Sequence, residues 1–291
     1  MNGLKEQNTD LAHTLNRREK QLCSQSAREL LKQLGASNFN EDEHRKEADS
    51  CKVHLQHLAE DRIRTQLDLN TLQATQQLST WYSSGKSCLL ALSSRNEQNA
   101  IEQYGRCSWL SPAVLDLLKQ LRERNRFVIY HLCLFHCLQH DSKDLKAHEI
   151  VISFISQIVT KCPKILTEES VSARLRSQAQ NLSNLSKKSD INEFCDFLLS
   201  ILQLLDPKLA PIYLILDRID ACSGDTSQGE FTKALLRIVQ KAPSTCEVKV
   251  LIATCATFWD LMKETKALKT HKLESGTFIS LVWDQEVSDS Y

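Results

Sequence analysis

The sequence predicts an α/β fold: a parallel sheet flanked by helices and preceded by a helical N-terminal extension. Four short apolar runs, Cys88–Leu92, Phe127–Phe135, Ile212–Leu216 and Val248–Ala253, are nearly continuous. Strands buried on both faces of a parallel sheet read this way. Amphipathic stretches of helical period separate the runs, and strands alternating with helices build a parallel sheet. Turn formers are scarce, with 7 Gly and 5 Pro in 291 residues, which favours long helices.

Residues 1–80 contain no proline and carry dense, alternating charge. Leu11, Leu15 and Leu22 share one helical face, as do Leu55, Ala59, Ile63 and Leu67. The stretch from Gly35 to Asp42 between them is a break between two helices. Arg18 and Gln25 interrupt a heptad seam, so the expectation is helices that pair with each other or with a partner, self-association included, more than a long coiled coil. At Trp81 the character changes, which sets the expected boundary: a helical extension over 1–80, dispensable for the fold, and an α/β domain over 81–291.

Within that domain Ser111-Pro112 opens a helix through about Asn125, with Ser111 read as N-cap and Pro112 as first helical residue. Further helices are expected over Glu149–Val159, Asp190–Leu205 and Phe231–Lys241.

Charge is balanced, 36 basic against 36 acidic residues, so no bulk field favours nucleic acid or an anionic membrane. No apolar run approaches the ~20 residues that cross a bilayer, and the N-terminus lacks a signal-peptide core. A soluble, cytoplasmic protein is the expectation. The 11 cysteines include no C-x-x-C pair and sit mostly in apolar runs, where they read as small core residues.

Gly85-Lys86-Ser87 resembles the end of a phosphate-binding loop, G-x-x-x-x-G-K-[ST]. Such a loop follows a buried strand and opens a helix, so that backbone N–H groups surround the phosphates. Here the first glycine position is Thr80, and residues 70–80 (NTLQATQQLST) are no apolar strand. Cys88–Leu92 is the first strand instead, and the loop after it, from Ser94 to Ile101, holds neither Gly nor Lys. Lys86 and Ser87 are therefore expected at a turn before that strand, with phosphate contact as the lesser reading.

IYLILDRIDAC, residues 212–222, ends an apolar run in Asp217 with a second acid at Asp220. That is the form of a Walker B strand, whose acid anchors Mg²⁺ at the strand's carboxyl end. A buried strand leaving through a polar turn fits the same letters. In segment order, residues 80–260 resemble the NACHT-type, nephrocystin-3-like N-terminal P-loop NTPase domains of the STAND class, abundant in fungal receptor-like proteins. The similar segments are RFVIYHLCLFH, EIVISFISQIVTKCPKIL and FTKALLRIVQKAPSTCEVKVLIAT, besides DRIDAC where the family carries D-A-L-D-E-C.

The resemblance implies a P-loop-NTPase-like sheet binding ATP or GTP with Mg²⁺. It also exposes departures. The family acid that polarises attacking water falls at Ala221, which has no proton-accepting group. The strand that usually ends in T-S-R here reads Ala253-Thr254-Cys255-Ala256. A degenerate, non-hydrolysing regulatory or interaction module is the expected function. The alternatives are a nucleotide switch using Lys86, Ser87 and Asp217, with Asp220 as a second metal ligand, and a helical adaptor whose sheet is only a platform.

Two other clusters read as structural. His131, Cys133, His136, Cys137 and His140 have zinc-ligand chemistry, but alternation along a strand does not converge them on one point. Lys86, Lys119, Arg122, Arg124 and Arg126 read as a solvated helix face.

Overall fold

A computed structural model describes residues 2–62, 69–95, 110–133, 146–185, 190–219, 228–255 and 277–284. In chain order the elements are α1 (Asn2–Gln33), α2 (Glu41–Arg62), α3 (Leu69–Gln73), α4 (Gln76–Ser83), β1 (Cys88–Arg95), α5 (Ser111–Glu123), β2 (Phe127–Leu132), α6 (Ala147–Lys161), α7 (Glu169–Leu185), α8 (Ile191–Leu202), β3 (Ile212–Asp217), α9 (Gln228–Lys241), β4 (Val248–Cys255) and β5 (Phe278–Asp284). The four apolar runs are adjacent strands of one sheet of order β2-β3-β4-β1-β5, and every pairing is parallel. The strand β5 and the helix α7 add to the elements that the sequence predicts.

Handedness explains how the layers form. The step from β1 to β2 crosses β4 and β3 in one direction, while β2 to β3 and β3 to β4 step the other way. Right-handed crossovers therefore put α5 on one face and α6, α8 and α9 on the opposite face. Leu89, Ala91, Ile129, Leu214, Leu216, Val250 and Ile252 pack against α6, α8 and α9. Leu90, Leu92, Val128, Tyr130, Ile215 and Leu251 face α5.

The N-terminal helices join both layers. Ala27 and Leu30 of α1, with Leu34 just after it, are part of the first core, and Ala48, Cys51 and Leu55 of α2 part of the second. Leu55 lies on the predicted stripe; Ile63 and Leu67 fall outside the described residues. Helix α4 runs through the expected boundary at residue 80, and its Trp81 is fully buried, donating its indole N–H to Val250 O at 3.0 Å.

An edge strand offers unpaired backbone groups, and β2 is one. Buried Gln157 of α6 acts as a substitute strand: its amide donates to Tyr130 O at 2.6 Å, and its carbonyl accepts from Tyr130 N at 3.1 Å. Lys161 donates to Val128 O at 2.7 Å and meets Glu41 at 3.5 Å. Burial holds the Lys161 ammonium below its usual range.

Helix α5 corrects one expectation. Its N-cap is Leu110, with no side-chain cap bond; Ser111 and Pro112 are inside the helix. The run Phe127–Phe135 is strand only through Leu132, and residues 134–145 lie outside the described residues. Among the described residues no helix is long and apolar enough to cross a membrane.

Candidate functional site

Ligands of open parallel sheets bind outside the carboxyl ends of the strands, where the direction of connection reverses. Here the reversal is at β1, beside β4. Asp217 ends β3 at this edge and is fully buried. Its register partners are Leu132 and Ala253, and Ala253 in turn pairs with Leu92. That row lies on the face covered by α5, and α5 runs antiparallel to the strands. Its N-terminus therefore reaches the same edge, where partial positive charge favours a carboxylate.

One residue further, Ser93 of β1 pairs in register with Thr254 of β4. Both are buried, and the Ser93 hydroxyl has no hydrogen-bond partner among the described residues. Arg218, directly after Asp217, is buried at φ 60°, a left-handed conformation that costs a non-glycine residue about 1 kcal/mol or more. One acid, two hydroxyls and a strained arginine thus share the carboxyl edge. The signal for Ser93 and Thr254 was the polar residue ending each apolar run; no sequence signal foretold the φ of Arg218.

Gly85, Lys86 and Ser87 are at the other end. They follow α4 and precede β1, at the amino edge of the sheet. Ser87 Oγ accepts from Val248 N at 2.9 Å, and Lys86 is exposed. Lys249 of β4, wholly buried, donates to the carbonyls of Ser84 and Lys86 and meets Glu247 at 2.8 Å. This lysine inside an apolar run was missed as a structural residue; it ties the Gly-Lys-Ser turn to the sheet. Gly85 has open space where a side chain would stand, so nothing there demands a glycine for close approach.

From Lys86 to the level of Asp217 is about six residues of strand, roughly 20 Å at 3.3 Å each. The structure does not bring Lys86 and Ser87 together with Asp217. Asp220 and Ala221 lie outside the described residues. Lys86 and Ser87 lie at the edge opposite Asp217, so these three residues do not form one site for a magnesium nucleotide. No group of three or more metal-ligating side chains occurs among the described residues.

The remaining clusters have internal roles. His131 and Cys133 are buried on one face of the sheet, while His136, Cys137 and His140 are outside the described residues. Arg122 stacks over the Tyr130 ring at 4.4 Å, Arg124 donates to Tyr82 Oη at 3.2 Å, and Lys119 lies 3.7 Å from Glu123. His44 of α2 stands beside Tyr130, ring centroids 4.4 Å apart, and its carbonyl accepts the Tyr130 hydroxyl. Burial, with Arg122 and Lys161 nearby, depresses His44 to about 4. Burial likewise raises Tyr130 to about 12.

No curated protein matches the chain. The family model described as nephrocystin 3, N-terminal, matches residues 105–254, from the connection after β1 through nearly all of β4. That is just over half of the 291 residues, and it takes in Asp217 but neither the Gly-Lys-Ser turn nor β1. The chain belongs to the nephrocystin 3 N-terminal family.

Proposed function

We propose that this chain is a regulatory or interaction module built on a nucleotide-binding type of fold, and that it does not hydrolyse nucleotide. One observation carries the reading. Lys86 and Ser87 stand at the amino edge of the sheet and Asp217 at the carboxyl edge, a strand's length apart. Ala221 in the position of the family's catalytic acid supports it from the sequence. The proposed layout is 1–80 as a helical extension packed onto both core layers and 81–291 as the family domain, within which the whole family match falls. Protein partners and a cytoplasmic setting go with this reading, and the unbridged thiols Cys23, Cys88, Cys162, Cys195 and Cys246 are consistent with it.

A second reading is a nucleotide switch at the carboxyl edge. The specific observation in its favour is Arg218, buried at φ 60° directly after buried Asp217, since strain of this kind collects at functional sites. Phosphate release with Mg-ATP and Mg-GTP separates the readings in the wild type, Lys86→Ala and Asp217→Ala. Equal, near-zero release from all three is expected. Magnesium-dependent turnover abolished by Asp217→Ala would overturn the non-hydrolysing reading.

A further inference from the structure

Helix α1 has two unlike halves. From Cys23 onward it packs on the body: Cys23, Ala27, Leu30 and Leu31 are buried, and Arg176 of α7 donates to Glu29 at 2.5 Å. Before Cys23 the described side chains, those of Thr14, Leu15 and the residues from Arg17 to Leu22, are all exposed. An arm whose described side chains are all exposed gains little from tertiary packing, the source of most helical stability in proteins. Its sequence nevertheless holds an apolar stripe. At ~100° per residue, positions 4, 11, 15 and 22, all leucine, fall within about 40° of one another and about 120° away from the body-facing stripe. Leu15 is 59% exposed and Leu22 65%. The spacing of seven, four and seven is the seam of a two-helix coiled coil.

We propose that this arm pairs, antiparallel, with the same arm of a second copy of the chain. The proposal goes beyond the reading of the sheet and does not rest on it. Charge selects both the partner and the direction. A parallel pair sets position 18, arginine, against itself at a seam position, where like charges repel. An antiparallel pair centred near residue 13 sets Leu15 against position 11 and Leu22 against position 4 of the second copy, leucine on leucine. Position 18 then meets position 8, arginine against asparagine. Flanking the seam, position 19 of each copy meets position 5 of the other, glutamate against lysine, twice by symmetry.

Sedimentation of the full chain at rising concentration tests the pairing, with helicity and melting of each variant as controls on the fold. A twofold increase in mass is expected for the wild type, and a monomer for Leu15→Glu/Leu22→Glu with the body's melting unchanged. The direction is read from two single variants. Lys5→Glu sets like charges against each other in its own pair, and so does Glu19→Lys. Mixed, the two restore opposite charges on both sides. Each alone should therefore dimerise at least tenfold more weakly, and the mixture should recover wild-type dimerisation. A wild type that stays monomeric overturns the proposal. So does a dimer untouched by Leu15→Glu/Leu22→Glu, because its interface is elsewhere. Single charge variants that weaken pairing without recovery on mixing, or that leave it unchanged, overturn the antiparallel register.

Discussion

The two ends of the parallel sheet are built on different terms. At the amino end the conspicuous polar groups are committed to holding backbone: Lys249 to two carbonyls and Glu247, Ser87 to Val248 N, Trp81 to Val250 O. At the carboxyl end Asp217, Ser93 and Thr254 are buried at the strand tips, and Arg218 holds an unfavourable φ. The first arrangement stabilises, and the second keeps polar and strained groups where folds of this type take ligands. The Gly-Lys-Ser letters belong to the stabilising end. Three letters of a phosphate loop describe chemistry only when the strand comes before them.

The largest expected effect tests the amino end. Lys249→Met preserves shape but leaves Glu247 and two carbonyls without their cation, which should cost about 3–5 kcal/mol in denaturant unfolding. Asp217→Asn at the other end keeps the shape, exchanges one acceptor oxygen for an N–H donor, and should cost less, about 1–3 kcal/mol. A reversed order would erase the contrast between the two ends.

Acid should act next most strongly, through His44 beside the edge strand. Its folded pKa, about 4, lies below the ordinary 6.5, so the folded state prefers the neutral ring. Stability is full above pH 6.5 and falls as pH drops toward 4, because the unfolded chain takes up the proton first. After allowance for partial exposure the loss is about 2 kcal/mol. Unfolding titrations across that window should show it, and His44→Phe, which keeps a ring against Tyr130, should flatten the slope.

A pair of serines sharpens the comparison at smaller scale. Ser87→Ala removes the acceptor of Val248 N and should cost about 1 kcal/mol. Ser93→Ala removes a buried hydroxyl without a partner among the described residues, and should be neutral or slightly stabilising. Smallest of all, Lys86→Ala at an exposed turn should stay within about 0.5 kcal/mol of wild type by the same unfolding measurement.

The four central strands were legible because each is a continuous apolar run, as burial on both faces requires. β5 was not, because Phe278–Asp284 is an edge strand whose residues 278–281 are only half-buried, with Ser280 and Asp284 breaking the run. Ser-Pro is a common helix opening and points to Ser111 as the cap of α5, yet Leu110 takes that place and Ser111 is buried inside the helix. Asp217 was found from the acid closing its strand. A lysine within VKVLIA reads as an interruption, and only the fold reveals the carbonyls that Lys249 serves. Arg218 depends on a backbone angle that no side-chain pattern encodes.

Melting with and without saturating Mg-ATP and Mg-GTP, in the wild type and in Lys86→Ala, tests most directly whether the Gly-Lys-Ser turn is structural. A ligand that binds only the folded state adds about 2.7 kcal/mol at a hundredfold excess over its Kd, a shift of several degrees. The account predicts that wild type and Lys86→Ala give the same response to nucleotide. A nucleotide-linked rise in the wild type that vanishes in Lys86→Ala would contradict it.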